Sequence, residues 1–250
     1  DSFMYLVEFQ DIKKRYGNKS ILDKFSLNVR QGEILGLIGR SGSGKSTVLK
    51  LLIGMADADS GAILFNGKNV QKNLNILRKQ TGFATQENML IDELSIKENS
   101  VYFGKLQGMS SKELKSRFIE LINLLDLDGF EHFSIKNLSG GMIKRANLLV
   151  SLIHSPKLLI LDEPTAGLDM ILREALWKYI IQINKAGTTI FVTSHLLEEI
   201  EKNCDRIAIL GQGGILACGT MPQYSNAFPG KASLNKIFED ILKNETALHN

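Results

Sequence analysis

The run Gly39-Arg40-Ser41-Gly42-Ser43-Gly44-Lys45-Ser46 gathers three glycines, three serines and a lysine into eight consecutive positions. Glycine lets successive backbone N–H groups turn toward one point, and such a nest holds an anion. Lys45 brings a full positive charge, and a helix opening near Ser46 adds about half a charge from its N-terminus. The Ser46 hydroxyl is an oxygen donor of the kind Mg²⁺ takes, and Thr47 carries the turn on into the helix. The spacing G-x-x-x-x-G-K-[ST] thus predicts a cradle for the β- and γ-phosphates of a nucleotide, with ATP and Mg²⁺ as its occupants. A glycine-rich turn of no function is the alternative for this run taken alone.

Two further groups bear on the same chemistry. Leu158-Leu159-Ile160-Leu161-Asp162-Glu163 is an apolar strand ending in two carboxylates. Asp162 can support Mg²⁺ through water, and Glu163 can accept a hydrogen bond from a water aligned on a γ-phosphate. Such a pair is also an ordinary strand terminus. Leu138-Ser139-Gly140-Gly141-Met142 precedes a helix expected from Ile143 to Ile153, which makes a second glycine-rich helix start and a second anion site. One ATP cannot use both cradles if they lie far apart within a chain.

The elements that must hold these groups follow from periodicity. Leu6 to Phe9 and Phe25 to Val29 alternate as half-buried antiparallel strands, whereas Ile34 to Ile38 is a continuous apolar strand running into the Gly39 loop. A buried helix is expected over Thr47–Met55, a strand over Ile63–Phe65 entering an Asn66-Gly67 turn, and a strand over Thr81–Thr85. From Leu94 to about Leu127 the pattern is helical, with Leu114, Phe118, Leu121, Ile122 and Leu125 on one stripe. Strands over Lys157–Asp162, Thr188–Thr193 and Arg206–Leu210 alternate with helices over Leu172–Ile183 and Leu196–Lys202, the pattern of a parallel sheet. A last strand is expected at Ile215–Cys218 and an amphipathic helix at Leu234–Leu242.

With 250 residues, 44% hydrophobic and 23% charged, the chain has the composition of one large folded domain and is too short for two such ATPase units. Its longest apolar stretches, Ala146–Ile153 and Leu158–Leu161, fall far below the roughly 18 to 20 residues that cross a bilayer. No basic segment followed by an apolar run marks a secretory leader, and Met4 reads as a natural start, with Asp1 to Phe3 as added residues. A net charge of +3 without a long basic block gives no reason to expect nucleic acid, and Lys13–Arg15 and Lys144–Arg145 read as solvated faces. Cys204 and Cys218 lack metal-ligand spacing and fit free thiols in a reducing cytoplasm.

Taken in order, the Gly39 loop, Ser139-Gly140-Gly141, Asp162-Glu163, Asp169 in Ala166-Gly167-Leu168-Asp169, and His195 after its strand closely resemble the nucleotide-binding domains of ABC transporters, from about Met4 to Thr220. The resemblance implies an α/β fold: a P-loop NTPase core with a mainly parallel sheet, an N-terminal antiparallel β subdomain and a helical subdomain insertion. It assigns residues 4–220 to the ATPase domain, about 87–137 to the helical insertion and 221–250 to a tail. It further implies that Tyr16 stacks on adenine and that Gly39, Ser41, Gly42, Ser43, Gly44, Lys45, Ser46 and Thr47 hold the phosphates. By the same resemblance Gln86 would touch Mg²⁺ and sense the γ-phosphate, Asp162 would support the metal, Glu163 would be the catalytic base, His195 would touch the γ-phosphate and Asp169 would lie at a subunit interface. Tyr16 could also simply end a strand.

In that family the Ser139, Gly140 and Gly141 cradle caps ATP held by a partner, so the resemblance implies a head-to-tail dimer with a second copy or a homologous ATPase subunit. It also implies a separate multi-span transmembrane subunit and a peripheral place on the cytoplasmic face of the membrane. Met142 stands where many members carry Gln, and with the basic pair after it this leans toward exporters; packing of the helix start is the plain alternative. Met170 follows Asp169 where Pro is common. A soluble ABC-type ATPase acting on ribosomes or DNA is the rival class, and it usually carries two ATPase units or long coiled-coil insertions. A kinase-like phosphotransferase would share the Gly39 loop but leave the Ser139 cradle without a use.

Overall fold

The computed structural model describes residues 4–231 and 233–248, so the three positions before Met4 lie outside the described residues. Along the chain the strands are β1 (Tyr5–Tyr16), β2 (Lys19–Arg30), β3 (Ile34–Gly39), β4 (Ser60–Phe65), β5 (Lys68–Asn69), β6 (Thr81–Ala84), β7 (Leu158–Asp162), β8 (Thr189–Thr193), β9 (Arg206–Leu210) and β10 (Ile215–Gly219). The helices are α1 (Lys45–Leu52), α2 (Leu74–Gln80), α3 (Ile96–Leu106), α4 (Ser111–Leu124), α5 (Gly140–Leu152), α6 (Met170–Lys185), α7 (Leu197–Asn203), α8 (Met221–Ala227) and α9 (Leu234–Leu248). The chain forms two compact units, one reaching to Leu77 and resuming at Thr189, the other spanning Arg78–Thr188.

In the first unit β1 lies between β2 and β4 as the middle of an antiparallel sheet. Phe9 and Phe25 meet edge to face across it, ring centres 5.2 Å apart. The expected Asn66-Gly67 turn is present with φ of 50° and 73°, the left-handed pair that a two-residue hairpin requires, and it closes β4 onto β5. A second sheet pairs β3 in parallel with β8 on one side and β9 on the other, with β10 antiparallel to β9. β8 is buried along its length and β3 everywhere but its last residue, which explains the apolar run of β3 and the apolar centre, Ile190 to Val192, of β8. At the entrance to β3 the Glu33 carboxylate is buried, accepts the Arg30 N–H at 2.7 Å and pairs with Arg206 at 2.9 Å; burial pushes its pKa up. The tail helix α9 is longer than expected and buries Leu234, Ile237, Ile241 and Leu242.

In the second unit β6 and β7 run parallel in the register Thr81↔Leu158 to Ala84↔Leu161. The expected helical stretch is broken into the hairpin of α3 and α4, because Gly108 at φ 82° ends the first helix and Ser110 starts the second. Both helices open with reciprocal caps, Ser95 with Glu98 and Ser110 with Glu113. The apolar stripe lies wholly after the break, on α4 and its C-cap: Leu114, Leu121, Ile122 and Leu125 are buried and Phe118 is half-buried.

Helix α5 packs on β6 through backbone carbonyls. Ser151 Oγ shares its one proton between Asn147 O of its own helix at 2.7 Å and Phe83 O at 3.0 Å, and the His154 ring, through Nε2, donates to Thr81 O at 3.1 Å. A Cβ at Gly82 would stand 2.2 Å from Ser151 O, so this close approach requires glycine. His154 Nδ1 is buried without a hydrogen-bond partner among the described residues, and burial holds the imidazole pKa below its usual value.

That gives a stability prediction. Above about pH 6.5 the ring is neutral folded and unfolded; below it the unfolded chain takes the proton first, so stability falls with pH by at most about 1.4 kcal/mol per unit. Urea midpoints at about pH 7 and about pH 5.5 should fall more in the wild type than in His154→Gln, which keeps a donor for Thr81 but does not titrate. An equal fall in both would show that another group is responsible.

Candidate functional site

In the first unit the Gly39 loop joins β3 to α1, and Gly44 sits at the N-cap of that helix with φ 111°. An L side chain rarely adopts this angle, so glycine is needed where the backbone turns its N–H groups toward the helix axis. Helix α1 begins at Lys45, two residues before the expected start, because the loop itself supplies the first turn. Gly39 answers to a different constraint: a Cβ there would lie 2.6 Å from Ser43 Oγ and 2.7 Å from the Leu210 carbonyl on β9. Inside the loop Lys45 Nζ donates to Gly39 O at 2.7 Å and to Arg40 O at 3.2 Å, which holds the ammonium against the loop that it must serve.

Ser43 Oγ is buried with no hydrogen-bond partner among the described residues. An orphaned hydroxyl within a glycine cradle fits a phosphate oxygen as its missing partner. The exposed Ser46 hydroxyl and the half-buried Asp162 carboxylate are hard oxygen donors suited to Mg²⁺. Thr47 is buried in the first turn of α1.

Register locates the other predicted residues at strand ends. Leu37 pairs with Thr193, so Gly39 and His195 each leave the sheet two residues further on, from neighbouring parallel strands at the same edge. Ala84 pairs with Leu161 in the second unit, so Gln86 and Glu163 are likewise each two residues past a parallel pair. Carboxyl ends of parallel strands are where ligands bind in open α/β sheets. Glu163 has φ 50°, uncommon for a residue with a side chain and costing about 1–2 kcal/mol, the kind of local strain found at active sites. Tyr16 ends β1 half exposed, with Lys14 Nζ 5.2 Å from its ring centre. Its exposed ring keeps both readings of that residue open.

Ser139 is the N-cap of α5, its hydroxyl accepting the Met142 N–H at 3.4 Å. The helix therefore starts at Gly140, three residues earlier than expected, and Gly140 and Gly141 form its first turn. Asp169 caps α6 by accepting the Leu172 N–H at 3.0 Å, and the two residues after it, Met170 and Ile171, are 74% and 79% exposed.

Lys144 and Arg145 are not the solvated face that charge alone suggested. Both are half-buried: Lys144 Nζ donates to Gln86 O at 2.7 Å, and Arg145 Nη1 donates to Leu125 O and Asp126 O at 3.0 and 2.9 Å. Burial lowers the Lys144 pKa. The overlooked signal was helical spacing, since Lys144 and Ser151, seven residues apart, put polar groups on one face of an apolar helix.

Gly39→Ala tests the loop. The added methyl must displace Ser43 or the Leu210 carbonyl, so binding of a fluorescent ATP analogue should weaken about tenfold or more, equivalent to about 1.4 kcal/mol. Unchanged affinity would show that the contact does not shape the cradle.

A family model described as ABC transporter matches residues 22–166. The chain is 37% identical over 215 residues to the linearmycin resistance ATP-binding protein LnrL of Bacillus subtilis (strain 168), covering 86% of this chain and 69% of that protein. It is 35% identical over 217 residues to the Nod factor export ATP-binding protein I of Rhizobium etli, covering 87% and 69%. Among solved structures, an ATP-binding subunit of an ABC transporter superposes with TM-score 0.85 at 28% identity, covering 94% of this chain and 99% of that one. An ATP-binding cassette of an ABC transporter in its ADP conformation gives TM-score 0.83 at 23% identity, covering 94% and 98%, a likeness of fold. The ordered motifs, the strand-end positions of their residues and these relatives agree: the chain belongs to the ABC transporter family, as one of its nucleotide-binding, ATP-hydrolysing subunits.

Proposed function

We propose that this chain powers export, binding Mg-ATP at the Gly39 loop, pairing head to tail with a second ATPase subunit and hydrolysing ATP to move a separate transmembrane subunit. The observation that carries the reading is the Gly39 loop at the carboxyl end of β3, its orphaned Ser43 hydroxyl inside the cradle and His195 leaving β8 at the same register. The direction of transport rests on relatives whose names state export or resistance, and on Met142. No helix among the described residues is long and apolar enough to cross a membrane, and transporters of this family supply the span on another subunit. The chain would then sit at the cytoplasmic face of the membrane.

Each residue has a role in keeping with its chemistry. Lys45 and the loop N–H groups, with Gly39, Ser41, Gly42, Ser43, Gly44 and Thr47, bind the phosphates, and the exposed Tyr16 ring offers a stacking face for adenine. Ser46, Asp162 and Gln86 would hold Mg²⁺, which when bound neutralises charge on the β- and γ-phosphate oxygens. Glu163 orients the attacking water and accepts its proton, while Lys45 and His195 stabilise the charge on the transferred group. Ser139, Gly140 and Gly141 offer a helix N-terminus to the γ-phosphate of ATP held by the partner, and Asp169 with its exposed neighbours faces that partner. Hydrolysis removes the contacts that depend on the γ-phosphate and loosens the dimer.

Glu163→Gln keeps the shape of the side chain and removes its basicity. Turnover should fall by on the order of 10² to 10⁴ with ATP affinity preserved, read from phosphate release and equilibrium binding. Near-normal turnover would remove Glu163 from the role.

A further inference from the structure

The cradle at Ser139 and the loop at Gln86 belong to one mechanical piece. Helix α5 is fixed to β6 and its continuation at three levels. His154, in the turn after the helix, donates to Thr81 O; Ser151 shares its proton between Phe83 O and its own helix's Asn147 O; and Lys144 donates to Gln86 O at 2.7 Å. The helix and strand backbones are in near contact between the first two levels, where Gly82 has room for no side chain. Thr81 and Phe83 lie within a strand whose N–H and C=O groups are also engaged with β7. Gln86 lies beyond the last paired residue, Ala84, and its side chain is exposed. At that level the contacts are the local one from the Thr85 hydroxyl to Glu87 O and the one from Lys144, and of these two Lys144 alone reaches back to α5.

From this we infer that Lys144 is a positioning residue: it pins the Gln86 backbone to the first turns of α5, so that Gln86 and the Ser139 cradle move together. The inference rests on the reading of Gln86 as the residue that senses the γ-phosphate. An ammonium suits the task because, on a half-buried side chain, it keeps a charge-assisted bond to the carbonyl of an exposed residue. Its stem starts in the second turn of α5, five residues after Ser139. A displacement of Gln86 on binding or loss of the γ-phosphate is then passed to the helix start through one side chain. Without Lys144, β6 and α5 stay joined at Ser151 and His154, but the Gln86 loop is free to shift relative to the cradle.

The test is a double-mutant cycle on steady-state ATP hydrolysis by the purified chain, with Lys144→Ala, Gln86→Ala and the double variant. Gln86→Ala removes the sensing amide but leaves the backbone carbonyl that Lys144 holds. Lys144→Ala should lower kcat about fivefold or more, with KM for ATP within about twofold, because ground-state binding is left to the Gly39 loop. Lys144→Arg, which can still donate to the carbonyl, should recover most of the loss. In the Gln86→Ala background, Lys144→Ala should cost no further activity, since there is no longer a sensing side chain to place. If Lys144→Ala melts far below the wild type, Lys144→Met keeps the apolar stem and takes its place in the cycle.

Multiplicative losses in the double variant would overturn the inference and leave the Gln86 reading intact. So would an unchanged kcat in Lys144→Ala, or a loss that Arg fails to repair. An unchanged kcat in Gln86→Ala would instead overturn the reading of Gln86 and the inference with it.

Discussion

The loop geometry depends on one close approach, that of Gly39 to the carbonyl of Leu210. A Cβ at Gly39 would stand 2.7 Å from that oxygen and 2.6 Å from the Ser43 hydroxyl, so the chain can pass from β3 into the loop only at a residue with no side chain. The rest of the cradle is built on that passage. Gly44 turns into the left-handed region, α1 opens at Lys45, and the ammonium folds back on the carbonyls of Gly39 and Arg40. Backbone donors, a helix terminus and a lysine are thereby concentrated where a polyphosphate can meet them all. β9 contributes no chemistry of its own, yet its Leu210 carbonyl sets the space in which the loop must turn.

In the second unit the organising contacts are of another kind, side-chain donors on backbone carbonyls. Ser151, His154 and Lys144 fix α5 along β6, while Arg145 ties the same helix to the end of α4. Tyr179 on α6 joins that end too, its hydroxyl donating to the Asp126 carboxylate at 2.6 Å. The helix that begins with the Ser139 cradle is therefore held on several sides by polar contacts, those of Ser151 and His154 part-buried and that of Lys144 at the surface. Such a helix suits a part whose N-terminus has to be presented in a fixed attitude.

How much of this could be read from the residues depended on how far chemistry restricted residue type. The places of the Gly39 loop after β3, of Asp162-Glu163 at the end of β7 and of Ser139 ahead of α5 were legible because each motif adjoins a clear apolar strand or helix, and the continuous apolar strands β3 and β7 were legible because burial on both faces permits little else. Boundaries were less so. Glycine in a first turn reads as a break, which hid the true start of α5, whereas the division between α3 and α4 was passed over although Gly108 and the Ser110 cap lie between them. Helix α8 was missed although Thr220 and Gln223 form a capping box around Pro222, a pattern available in the sequence. The Lys144 contact was hidden for a different reason: a backbone carbonyl accepts from any donor, so its residue type records nothing of the partner. The φ of Glu163 left no trace in sequence either, since nothing about Glu marks a left-handed backbone.

The central claim is that one ATP is served by two chains, the Gly39 loop of one and the Ser139 cradle of the other. Mixing two inactive variants tests it most directly. Lys45→Ala damages the loop and Gly140→Asp puts a carboxylate in the cradle, so neither protein should hydrolyse ATP alone. In a mixed dimer the intact loop of one chain meets the intact cradle of the other, and activity should reappear in proportion to the mixed species, about half of all dimers in an equal mixture. Activity that stays at the level of the separate variants, in a mixture shown by crosslinking to contain mixed dimers, would contradict the claim.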